Sequence, residues 1–146
     1  MKAQFTSKDI QDFLQMKKKR LEAAILEALK FVGEEFITIC RENGTYTDQT
    51  GNLRSSIGYM IFQNGQVVFE SFPGSNAPAV EIARRVALDA AQRLGGNGFL
   101  FVGVAGMEYA ASVEARGFDV ISMGSIRAAD ALRRAMERIK RKANRR

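Results

Sequence analysis

An α+β domain built on a small, mainly antiparallel sheet is the fold class that this sequence predicts, and three observations predict it. Apolar residues recur at three- and four-residue steps from Ile10 to Cys40, the pattern of one long amphipathic helix. An Asn64-Gly65 dipeptide separates two strand-like runs, the strongest short-range signal for a hairpin. Further helical patterns then bracket another apolar, strand-forming run at 99–104. The expected architecture is a hairpin plus one or two further strands, packed by a long N-terminal helix, a middle helix and a C-terminal helix. At 146 residues, 46% hydrophobic and 26% charged, the chain fits one domain with enough apolar side chains for a real core.

The elements follow in order. Ser7 suits the N-cap of the first helix and Asp9 its first turn, where both answer free N–H groups. From there Ile10, Phe13, Leu14, Leu21, Ile25, Ala28, Leu29, Val32, Phe36, Ile39 and Cys40 mark one buried stripe, and Gly44 stops a helix of about 7–43. Such a helix is long for a domain of this size, so it is expected either to bend near Gly33 or to project beyond the core. The run Lys17, Lys18, Lys19, Arg20 wraps most of one turn.

The stretch TGNLRSSIGYMIF at 50–62 comes next. Asp48 or Thr50 caps a short helical turn through 52–56, which sets Leu53 and Ile57 on one side and leaves Arg54 outward. The hairpin is expected over about 57–72, with a type I′ turn at Asn64-Gly65. Counting outward from the turn pairs Phe62 with Val67 and Met60 with Phe69 on one face, and Ile61 with Val68 and Ile57 with Phe72 on the other. Both faces are then apolar, so helices of this chain or a neighbouring subunit must cover each.

After the loop at 73–78, the positions Val80, Ala83, Val86, Ala87, Ala90, Ala91 and Leu94 predict a closely packing helix over about 79–94, ended by Gly95-Gly96. The run FLFVGV within about 98–105 reads as a central strand buried on both faces. Residues of about 108–121 read as a strand or helical turn, a tight turn at Gly117 and a short strand. Ser122 or Ser125 caps a last helix over about 125–142, through Ile126, Ala129, Leu132, Met136 and Ile139, which runs into a basic tail.

The inventory of reactive groups is mostly negative. The chain has no histidine, the commonest general base and zinc ligand. Its single cysteine, Cys40, lies on the expected buried stripe and has no sequence partner for a zinc cluster, so it reads as a small core residue. Glu34 and Glu35 splay apart on a helix and read as solvated surface. Glu108, Glu114 and Asp119 match no cation-loop spacing, and Gly95, Gly96 and Gly98 lack the rest of a phosphate-binding or dinucleotide motif. No enzyme activity, cofactor or metal is expected. The N-terminus lacks the unbroken apolar stretch of a signal peptide, and the most apolar run, 98–107, falls far below the roughly 18 to 20 residues of a spanning helix. With a lone cysteine, intracellular synthesis and no membrane association are the expectation.

The net charge of +6 is concentrated. Residues 127–146 hold nine Lys or Arg against two acids, a net of +7, so the rest of the chain sums to −1. Arg133, Arg134, Arg138, Lys140, Arg141 and Lys142 are therefore candidate interaction residues, for salt-sensitive contact with nucleic acid or as the solvated cationic end of a helix. The tail has no interleaved aromatic residue to stack on single-stranded bases.

Two segments carry a family resemblance. The first, 50–57, resembles the "T-G-x-L-R-x-S-I" segment of phage tail-completion proteins, the small head-to-tail joining proteins of long-tailed phages. In the second, Tyr109, Ala110, Val113, Glu114 and Gly117 resemble that family's "Y-A-x-x-V-E-x-G" segment, with the glycine one residue late. The order of elements around them fits as well, over most of 7–135. This chain continues from the glycine with Phe118-Asp119-Val120-Ile121, where the family often has a threonine. The resemblance implies a non-enzymatic virion protein that assembles as a hexameric ring between the portal, or its adaptor or stopper, and the tail tube. Arg54 is then a subunit-contact or surface residue, and the basic tail a surface for passing DNA or an acidic neighbour. The rival expectation is a small basic DNA-binding accessory protein of a phage or mobile element.

Overall fold

The computed structural model describes residues 6–42, 52–95, 97–105, 130 and 133–142. Helix α1 spans Ser7–Glu42, α2 is the short turn Asn52–Ser55, β1 is Ile57–Gln63, β2 is Gln66–Ser71, α3 is Ala77–Leu94 and β3 is Phe99–Ala105. Residues 133–142 form a further helix, α4. The strands make one antiparallel sheet in the order β2-β1-β3, an α+β fold with helices before, within and after the sheet.

Alternation along β1 decides which helix covers which face. Ile57, Tyr59 and Ile61 point to α1, where they join Leu29, Val32, Phe36, Ile37 and Cys40 in one cluster. Met60 and Phe62 point to α3 and pack with Ala83, Ala87, Val102 and Val104 in a second. Strand β1 is therefore covered on both faces by the chain's own helices, whereas Val67 and Val68 of β2 stay exposed. β1, with a neighbour on each side, is the central strand; the run FLFVGV, expected to be central, pairs among the described residues only with β1.

The turn is as expected. Asn64 (φ 53°) and Gly65 (φ 83°) both take left-handed conformations, as a type I′ turn requires. Phe62 pairs with Val67, but the register then slips: Ile61 faces Phe69 and Met60 faces Glu70. Val68 is the extra residue of a β-bulge. The slip corrects the expected pairs Met60–Phe69, Ile61–Val68 and Ile57–Phe72: it turns Phe69 onto the α1 face, against the first cluster, and Phe72 onto the other, against the second. Val68 is left exposed. A one-residue shift exchanges the faces of a strand, so the bulge lets Phe69 reach the aromatic cluster while the turn keeps its geometry.

Helix α1 departs from a single buried stripe. Its burial begins near Ile25 and is complete from Leu29, whereas every residue from Ser7 to Leu21 is exposed. The helix thus projects beyond the core. At Gly33 it approaches the sheet closely, since a Cβ there would collide with the Tyr59 ring. The cap is also one residue earlier than expected: the Thr6 hydroxyl accepts from the Asp9 N–H at 3.2 Å, and the Asp9 carboxylate accepts from the Thr6 N–H at 3.0 Å. These reciprocal bonds hold the Asp9 carboxyl below its ordinary range, mainly through the Thr6 backbone donor.

Helix α3 buries its small side chains. Ala79, Ala83 and Ala87, four residues apart, form the contact row, while Val86 and Leu94, expected on the buried stripe, are exposed. Alanines at the contact let the helix lie close over the sheet. Asn76 caps the helix by accepting from the Ala79 N–H at 3.1 Å, and Pro78 stands in the first turn, where a missing N–H costs nothing. Gly95 ends it, as expected.

Candidate interaction surfaces

Arg54 stands on α2, the turn that delivers the chain into β1. Ser55, Ser56 and Ile57 after it are all buried, and Arg54 itself is exposed. Gly74 seats the following loop against the Ser55 backbone, so close that a side chain at 74 would collide with it. Buried small residues on one side and a close backbone contact on the other fix the turn, which places Arg54 outward as expected. Asp48 and Thr50 lie outside the described residues.

The six basic candidates of the tail sit together on α4. Arg133, Arg134, Arg138, Lys140, Arg141 and Lys142 are all exposed, whereas Ala135 is buried and Met136 and Ile139 are half-buried. On a helix those three apolar residues share one arc and the cations fill the rest. Arg133 and Arg134 both pair with Asp130, the latter at 3.5 Å. Among the described residues the other four face no acid within ion-pair distance. The structure gathers these six on one element and places Arg54 on another. The proposed caps Ser122 and Ser125, the acids Glu108, Glu114 and Asp119, and the whole second motif lie outside the described residues.

One polar contact between helix and sheet is not visible to sequence reasoning. The Tyr59 hydroxyl, buried beneath α1, donates to Glu34 Oε1 at 2.9 Å, with the Lys30 carbonyl oxygen 3.3 Å away as a second acceptor. Its ring stacks on Phe101 with centroids 5.4 Å apart and lies 6.0 Å from Phe69, over which Lys30 Nζ sits at 4.6 Å. Burial first, and then the bond to the Glu34 carboxylate, push the phenol well above its ordinary value. A phenol so held is a poor acid at neutral pH, so this constellation anchors α1 to the sheet. Glu34 is exposed, as expected of it, but it also accepts this bond, which only the tertiary register of α1 on β1 discloses.

Other chemistry is sparse. Among the described residues no three Cys, Asp or Glu side chains converge as a metal site would need, and no helix is long and apolar enough to cross a membrane. Cys40 is buried in the first cluster. A pocket of about 80 Å³ between the hairpin turn and the α3–β3 loop, walled by Phe62, Gly95, Gly98 and Leu100, is well below the few hundred Å³ of ordinary ligand sites. Asn64 holds that loop in place: its side chain accepts from the Gly98 N–H at 2.8 Å, and its own N–H donates to the Gly98 carbonyl at 2.9 Å.

Among the described residues, the projecting half of α1 leaves an apolar surface exposed. Ile10, Phe13, Leu14, Met16 and Leu21 all stand exposed on the projecting half of α1. Scattered apolar residues on a surface are ordinary, but five on one projecting helical segment make a candidate contact surface. The structure thus offers three candidate surfaces: the α1 stripe, Arg54 and the cationic arc of α4. Compared with protein-family models, curated proteins and solved structures, the chain finds no match.

Proposed function

We propose that this chain is a non-enzymatic structural subunit of a bacteriophage neck, a tail-completion or head-to-tail connector protein that forms a hexameric ring. The observation that carries the reading is the ordered pair of motifs, 50–57 and 109–117, within one succession of elements. The geometry of the first motif supports it: Ser55 to Ile57 are spent on burial and Arg54 is left to the surface, a division that serves positioning and not catalysis. The projecting apolar half of α1 supports it too, because each subunit of a cyclic assembly must present surface to two neighbours. On this reading the partners are further copies of the chain, the portal with its adaptor or stopper, and the tail tube; the site of action is the virion, after synthesis in the host cytoplasm. Deleting the chain's gene from the phage should leave filled heads and finished tails unjoined. Joined, infectious particles from the deletion would overturn the proposal.

The exposed cations of α4 favour a second reading, a small DNA-binding accessory protein held by the sequence-independent release of counterions. Truncation after Met136 removes Arg138, Lys140, Arg141 and Lys142. It should abolish retention on double-stranded DNA at low salt, and undiminished retention would reject this alternative.

A further inference from the structure

We infer that two copies of this chain pair through α1, the basic N-terminal half of each helix lying antiparallel against the acidic half of the other. Three observations lead there. Ile10 (52% exposed), Leu14 (59%), Leu21 (42%) and Phe31 (59%) are open to solvent on a helix whose core contacts lie on another face. Together with Lys17, Ala24 and Ala28 they follow alternating steps of four and three residues, the seam of a two-stranded coiled coil. The third is charge. Residues 7–21 carry five cations and two acids, residues 22–42 five acids and two cations, so the halves are +3 and −3.

Charge decides the orientation. A parallel, in-register pair would set the run Lys17 to Arg20 against its own copy. The antiparallel pair sets each half against its opposite, and like-charged contacts disappear. In the register that places Leu14 against the partner copy's position 31, Leu21 meets position 24 and Arg20 comes beside position 27, a glutamate 74% exposed that within its own chain pairs with Lys30 at 3.2 Å. Lys17, the polar break in the seam, falls opposite an alanine small enough to admit its stem. The two-fold axis makes every contact twice. This pairing goes beyond the ring and does not rest on it: an isologous dimer of the free chain would cover the α1 stripe before any assembly on a particle.

Sedimentation equilibrium of the full-length protein tests it. The wild type should reach twice the chain mass as concentration rises. Leu14→Glu with Leu21→Glu should leave a monomer of unchanged helix content, because both side chains are already exposed in the single chain. Arg20→Glu alone and Glu27→Lys alone should each weaken the pair on the order of tenfold, and their combination should restore it. A monomer at every concentration, a higher assembly that the Leu14 and Leu21 changes leave intact, or a charge-swapped variant no tighter than either single change would each overturn the inference. Protection of the α1 stripe from hydrogen exchange in a strict monomer would do so as well, by assigning the stripe to another segment of the same chain. Failure here would leave the neck reading standing, since that reading is judged on particles.

Discussion

Tyr59 is where the fold is most exactingly specified, because its ring, its hydroxyl and the backbone above it each meet a different constraint. Gly33 leaves room for the ring, and Glu34 accepts a hydrogen bond from the hydroxyl. Tyr59→Phe keeps the ring stacking and removes only the hydrogen bond, so it should lower unfolding free energy by about 1–2 kcal/mol in urea titration near neutral pH. Its pH dependence is more diagnostic. The native phenol keeps its proton above the ordinary value of 10.0, so above that pH the unfolded chain binds fewer protons than the native one. Stability should therefore be fully present below about pH 10, fall as pH rises beyond it, and fall less steeply in Tyr59→Phe. Gly33→Ala sets two effects against each other. A helical alanine is worth roughly 1 kcal/mol over glycine, but forcing a methyl into the buried Tyr59 ring costs about 1–3 kcal/mol. Because that ring is hemmed in by Phe69 and Phe101, overpacking should win, and thermal unfolding should come at lower temperature.

At the scale of elements, helices α1 and α3 show two ways in which an apolar pattern misleads. In α1 the periodicity is real along the whole helix, yet only its second half meets the sheet, since three strands of six or seven residues are far shorter than a 36-residue helix. In α3 the larger apolar residues were expected to face in with the alanines, and Val86 and Leu94 face out. A close helix–sheet approach has room only for the small row. Ala83→Leu should therefore cost about 1–3 kcal/mol by overpacking, whereas Val86→Ala on the same helix should stay within about 0.5 kcal/mol. Equal losses for the two would contradict the packing described here. What the sequence made legible was local: the Asn64-Gly65 turn, the Gly95 stop, the short turn before β1 and the outward Arg54. The T-x-x-D cap at Thr6 and Asp9 and the cap at Asn76 before Pro78 were equally local signals, and reading Ser7 as the cap passed over the first. The bulge at Val68, the Tyr59–Glu34 bond and the central place of β1 depend on which strand meets which helix, and no short window of sequence contains that.

For the whole molecule, the division of labour is between a nearly neutral body that supplies the frame and the surfaces left over from it. Strand β1 is covered on both faces by α1 and α3, so of the apolar hairpin only the β2 edge, with Val67 and Val68, is left to the surface. The projecting half of α1 and the cationic arc of α4 remain. Both extend beyond what the core needs, and among the described residues neither gathers the converging acids or thiols of a reaction centre. A neck subunit would use such surfaces for neighbours and for DNA in transit, which places the decisive observation on the particle and not on the isolated chain. Electron cryomicroscopy of intact virions should show this fold, with its three-stranded sheet between a long projecting helix and an alanine-faced one, as a ring between portal and tail tube. A neck fully accounted for by other chains, with this one absent from the virion, would contradict the account.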